Sequence, residues 1–199
     1  MLRKLETITS PSELMDFLSA EIKYGFVKRS SGKILTNPAT EEWRNCWTKE
    51  YFLQNPAELL RSKHGVCWDY VELERYWFQS LGYEIKTFYM AVIMEGENRF
   101  STHTFLAYLD QDKWYWFENS WHNQRGIREY ATLNELLIDA SNQHAESLIS
   151  QGATAEDIQN HKLYEYKNSL SGATPIDFVL SIINDNLPVS LNKEAIEEW

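Results

Sequence analysis

The sequence predicts an α+β fold: an antiparallel sheet packed on a central helix, with further helices at both ends. Three observations carry that expectation. A glycine turn, Lys63-His64-Gly65, hands over to Val66-Cys67 and an apolar helical run that stops at Leu81-Gly82. The hydrophobic period then changes to strand character in three successive segments joined by short polar turns. Helix-cap signals stand on both sides of these segments.

In chain order, Ser10-Pro11-Ser12-Glu13 is a helix start, with Ser10 as N-cap, Pro11 in the first helical position and Glu13 three after the cap. Leu14, Phe17, Leu18 and Ile22 follow at helical spacing, so this helix is expected to reach Tyr24-Gly25. Residues 29–40 read as loop. Glu41-Glu42-Trp43 opens a helical or irregular stretch through Tyr51-Phe52-Leu53. Asn55-Pro56-Ala57-Glu58 caps a short helix that Gly65 ends. The central helix is expected over 66–81. Its apolar stripe (Val66, Tyr70, Leu73, Trp77, Leu81, flanked by Cys67, Val71 and Phe78) is wide, so it should be buried on much of its circumference. Strands are expected over 85–94, 100–109 and 114–121, a meander. Large apolar groups on both faces of the last two imply a sheet covered on both sides. A short strand at 127–129 leads to a helix from Leu133 to about Ser150. A short capped turn at Thr154, a strand at 163–166 and a last helix from Thr174-Pro175 complete the pattern. Nothing repeats and no linker interrupts the chain. One domain over residues 1–199 is expected, with its core at about 41–130 and accessory helices in 10–25 and 133–199.

Composition narrows the function. Hydrophobic residues make up 43% and charged residues 24%, a globular mix, while 14% aromatics favour an aromatic-lined cleft. A formal net charge of −10 without a basic stripe argues against nucleic acid and against an anionic membrane surface as partners. Two cysteines, Cys46 and Cys67, with no paired Cys/His spacing suggest no metal site and a reduced, intracellular chain; no cofactor is expected. Met1-Leu2-Arg3-Lys4 leads into no apolar signal region, and no apolar run approaches the ~18 residues of a membrane span, so the expected location is the cytoplasm. The sequence leaves the oligomeric state open.

The chemistry centres on Cys67. A thiol at a helix start sits beside unpaired N–H groups and the positive end of the helix dipole, which favour thiolate. A base must then lie within hydrogen-bond reach, with a third group to orient it. His144 and His161 lie in polar segments and read as solvated. His64 would have to fold back, and His122 lies beyond the third strand. His103, between Thr102 and Thr104 in an otherwise apolar strand, is the candidate base. If the following hairpin turns on Gln111-Asp112, then Asp110 faces Lys113, Phe105 faces Glu118, and Glu118 is a diagonal neighbour of His103. An odd loop or a bulge brings in Asn119 instead.

Four pieces in order, Gly65-Val66-Cys67-Trp68-Asp69-Tyr70, Ser80-Leu81-Gly82-Tyr83-Glu84, Thr102-His103-Thr104-Phe105 and Trp114-Tyr115-Trp116-Phe117-Glu118, resemble the transglutaminase-like superfamily. Its papain-related core shows a Gly-x-Cys turn opening a helix, a Leu-Gly before a strand, a strand histidine, and a Trp-x-x-x-Asp on the next strand. The resemblance covers about residues 56–121. It implies a papain/transglutaminase-like core with Cys67 as nucleophile, His103 as base and Glu118 in the family's aspartate position. Glutamate there is a departure, and Asn119 is the alternative, as asparagine serves in papain-like peptidases. The oxyanion hole implied by the resemblance uses the backbone N–H of Cys67 and one further donor. Arg61 stands where papain-like peptidases carry a glutamine, so Gln54, Tyr51 and Trp47 are the candidate donors, with Trp68 a further cleft residue. Asp69 reads as a cap near the helix start and Cys46 as core. The 163–178 segment is similar to the ends of small uncharacterised bacterial members.

Together these expectations describe cysteine-dependent acyl transfer, with hydrolysis of a peptide, isopeptide or carboxamide bond preferred over cross-linking and a peptide or protein as substrate. The alternatives are a catalytically inactive peptide- or glycan-binding module on the same fold and, more weakly, a glycosidase with paired carboxylates.

Overall fold

A computed structural model describes residues 5–94, 99–167 and 170–191. Helix α1 (Pro11–Glu21) starts as its capping box requires: Glu13 N–H donates to Ser10 Oγ at 3.3 Å, and Ser10 N–H donates to Glu13 Oε2 at 3.2 Å. Ser10→Ala is expected to lower stability by about 1 kcal/mol, read as a shift in urea midpoint at unchanged slope. The helix stops short of Tyr24-Gly25. Ile22 turns extended (φ −113°, ψ 131°), and Lys23–Tyr24 (β1) pairs in parallel with His64–Gly65 (β4). Phe26–Val27 (β2) and Ile34–Leu35 (β3) form a small hairpin inside what reads as loop in the sequence.

Helices α2 (Glu41–Glu50) and α3 (Pro56–Ser62) follow. Lys63, in the left-handed region at φ 57°, ends α3 two residues before Gly65. The central helix α4 is Cys67–Ser80, with Val66 as its N-cap. Its burial exceeds the apolar stripe, since Asp69, Glu72, Glu74 and Arg75 are buried as well.

The main sheet has five strands in the order β8-β7-β6-β5-β9, all antiparallel neighbours. They are β5 (Glu84–Met94), β6 (Arg99–Asp110), β7 (Lys113–Glu118), β8 (Gly126–Tyr130) and β9 (Lys162–Tyr166). The expected turn after β5 lies outside the described residues. Strand β7 ends at Glu118 rather than Trp121, because Trp121 N–H donates back to Glu118 Oε1 at 2.7 Å and a 3₁₀ turn, His122–Gln124, follows. Asp110 pairs with Lys113 across a two-residue turn in which Gln111 (φ 48°) and Asp112 (φ 62°) are both left-handed, the backbone of a type I′ hairpin.

The remaining helices are α5 (Leu133–Ser150), α6 (Ala155–Gln159) and α7 (Pro175–Asp185). On one face of the sheet, Leu106, Tyr108 and Phe117 pack with Tyr70, Leu73, Trp77 and Phe78 of α4. On the other, Phe105, Ala107 and Trp116 pack with Leu136, Leu137 and Ala140 of α5. The sheet is thus covered on both sides, as its strand composition requires. A third cluster gathers Phe26, Trp43, Tyr51, Trp68 and Phe178 around the start of α4. Mixed helix and antiparallel sheet make this an α+β protein.

Candidate active site

Cys67 is the first residue of α4 and is 6% exposed. The turn before it is held from three sides. Lys23 N–H and Gly25 N–H donate to the Lys63 and Gly65 carbonyls, each at 2.9 Å. Gly65 has no room for a side chain: a Cβ there would sit 2.6 Å from Leu59 Cδ1 and 2.9 Å from Asp69 Cβ. Asp69 accepts from Val66 N–H and Gln54 N–H at 2.8 Å and from the Tyr51 hydroxyl at 2.9 Å. It is the cap its position suggests. Burial pushes its pKa up to about 7, against the pull of those donors.

His103, on β6, meets Glu118, the last residue of β7. Nε2 of His103 lies 2.7 Å from Glu118 Oε2. The other carboxylate oxygen accepts from Ser120 Oγ at 3.1 Å and from Trp121 N–H. With Nε2 engaged, Nδ1 is the remaining ring nitrogen, and the Cys67 side chain is among the groups that act on the ring. The Trp121 indole stands edge-on to the imidazole, centroids 5.2 Å apart. Burial disfavours the imidazolium, but the Glu118 carboxylate and the bonds to Cys67 and Glu118 outweigh it and lift the His103 pKa to about 10. The imidazole held by Glu118 therefore carries a positive charge at neutral pH and can deliver a proton.

Asn119 is turned elsewhere. Its Oδ1 accepts from Ser19 Oγ on α1 at 3.2 Å, and its Nδ2 is buried with no partner among the described residues. The two-residue hairpin accounts for this: its parity brings Glu118 to the His103 side and sends Asn119 away.

The other residues singled out from the sequence are packed or engaged. Gln54 Nε2 donates to the His64 carbonyl at 2.8 Å. The Trp68 ring stacks on Phe178 at 4.0 Å, and Trp47 stacks between Trp43 at 5.9 Å and Tyr51 at 4.5 Å. His144 is not solvated. It is 4% exposed, its Nδ1 lies 2.9 Å from His161 Nε2, and burial, then the charges of His103 and His161, lower its pKa to about 3. Among the described residues no three His, Cys, Asp or Glu side chains gather as a metal site, and no helix is long and apolar enough to cross a membrane.

Two residues on which the Glu118 charge acts are not singled out by sequence reasoning. Glu74 is buried on α4, where burial and then the Glu118 charge push its pKa well above the carboxylate range. Tyr24, on β1, has its phenol pushed well above its ordinary pKa by burial and then by the charges of Cys67, Asp69, Tyr70 and Glu118. The alternation Ile22, Tyr24, Phe26 is the strand signal that would have exposed it.

None of the curated proteins compared with the chain matches it. A family model described as a transglutaminase-like domain matches residues 1–121, more than half of the chain. That match runs from α1 through β7 and so takes in the start of α4, the His103 strand and Glu118 together; the chain belongs to the transglutaminase-like domain family.

Proposed function

We propose that the protein is a cysteine-dependent acyl-transfer enzyme that hydrolyses a peptide, isopeptide or carboxamide bond, on a papain/transglutaminase-like core. What supports this reading is the His103–Glu118 pair at 2.7 Å, with the buried Cys67 at the start of α4 among the groups that raise the His103 pKa. The Cys67 thiolate attacks the carbonyl carbon, a C–S bond forms, and the C=O electron pair moves onto oxygen. Collapse breaks the C–N bond, and the leaving amine takes its proton from the His103 imidazolium. Neutral His103 then deprotonates water, which attacks the thioester and releases the acid and the thiolate. Glu118 holds the ring throughout.

Labelling with iodoacetamide near neutral pH, followed by peptide mapping, tests this reading against an internal control. Cys67 is expected to react at least about tenfold faster than Cys46, the half-buried free thiol, because only Cys67 has an imidazolium partner. One observation favours a second reading, a catalytically inactive peptide-binding module. A cavity of about 440 Å³ lined by Val27, Arg29, Tyr51, Phe52, Gln54 and Arg61 does not include Cys67. Slow and equal labelling of both thiols would select it.

A further inference from the structure

Acyl transfer at Cys67, the reading on which this inference rests, needs two hydrogen-bond donors aimed at the carbonyl oxygen as it takes up charge. The backbone N–H of Cys67 is one, since the first N–H groups of a helix have no intrahelical acceptor. The side chains that the sequence offers for the second are engaged elsewhere. Gln54 Nε2 donates to the His64 carbonyl, the Tyr51 hydroxyl donates to Asp69, and Trp47 lies within a ring stack.

Tyr24 differs from all three. Strand β1 runs parallel to β4 with Tyr24 opposite Gly65, two residues before the nucleophile. Its ring stacks on Trp43 at 6.2 Å, and the residue as a whole is 40% exposed, so one side of it borders solvent. Its hydroxyl is within electrostatic reach of the Cys67 side chain, and then of Asp69, Tyr70 and Glu118, as the Gly65 pairing two residues before the nucleophile allows. Burial, then the negative charges around it, hold the phenol well above its ordinary pKa, so it keeps its proton.

We propose that the Tyr24 hydroxyl is the second oxyanion donor, a catalytic residue that hydrogen-bonds the carbonyl oxygen of an acyl group under attack by Cys67. It moves no proton. The O–H dipole stabilises the charge that appears on oxygen when the C–S bond forms and releases it when the C–N or C–O bond breaks.

Two reagents acting on the same sulfur test the assignment in a Cys46→Ser background. Acylation by p-nitrophenyl acetate passes through a tetrahedral oxyanion, while alkylation by iodoacetamide displaces iodide at a saturated carbon and forms none. Tyr24→Phe, which keeps the ring on Trp43, is expected to slow acylation by about 100-fold and to leave alkylation within about twofold. An equal fall in both rates would make Tyr24 a support for the thiolate and overturn the donor role. An unchanged acylation rate would overturn it as well. A parent protein whose Cys67 reacts with neither reagent would remove the nucleophile itself, and the donor with it, a failure visible before any change at Tyr24.

Discussion

Glu118→Gln is expected to slow acylation of Cys67 by p-nitrophenyl acetate at pH 7 by about 10³- to 10⁴-fold, the scale on which loss of an orienting carboxylate acts. The argument starts from burial. His103 is 8% exposed, and burial alone favours the neutral ring. The Glu118 carboxylate, 2.7 Å from Nε2, reverses this and lifts the pKa to about 10. Glutamine fills the same volume but carries no charge, so burial wins and the pKa falls. A thiolate at Cys67 then loses its counter-ion and the attacking species becomes scarce, while p-nitrophenolate leaves without a proton, so the loss falls on nucleophile activation. A linked change follows in stability. A histidine whose folded pKa is raised contributes stability that is fully present below its unfolded value near 6.5 and is lost as pH rises toward about 10. That alkaline decline should be absent from Glu118→Gln. Urea unfolding from pH 6 to 10, with the pH profile of iodoacetamide labelling, reads both effects. An unaltered labelling profile in the variant would sink the pairing argument.

What the sequence made legible is local. Ser10, Asn55, Thr132, Thr154 and Thr174 all cap helices whose starts are written in short polar motifs, and the change of hydrophobic period after Gly82 marks the sheet. The neighbour relation of Glu118 and His103 is legible as well, because a two-residue turn at Gln111-Asp112 sets the parity of everything beyond it. What was missed depends on distant pairing. Nothing near Ile22 says that the chain must leave its helix. It leaves because β4, some forty residues away, offers a parallel partner, and Tyr24 reaches the site only through that pairing. The burial of His144 was hidden differently. Its sequence neighbours are polar, yet Leu137, Ser141, His144 and Leu148 recur at helical spacing, and all four are buried. Periodicity was the better guide there than local composition.

Asp69→Ala is expected to destabilise the fold by about 3–5 kcal/mol, because it strands three buried or half-buried donors at once, each costing about 1–3 kcal/mol when left without an acceptor. The donors are the N–H groups of Val66 and Gln54 and the Tyr51 hydroxyl, and Asp69 itself is fully buried. Asp69→Asn separates the charge from the acceptor, since its amide oxygen can still serve part of the set. The pH dependence distinguishes them further. Burial raises the folded pKa of Asp69 from 3.8 to about 7. Between those values the folded state holds the proton more tightly than the unfolded chain, so the stability Asp69 contributes falls as pH rises from about 4 to about 7 and is level above. Asp69→Asn has no such titration, and its stability relative to the parent should improve across that window. Urea unfolding at pH 5 and pH 8 measures the crossing, and a loss under about 1 kcal/mol for Asp69→Ala would contradict the account. The same three bonds tie the 51–54 segment to the turn that carries Cys67. A stable Asp69→Asn protein that labels Cys67 more slowly at unchanged pH would therefore show that the cap positions the nucleophile as well as holding the helix.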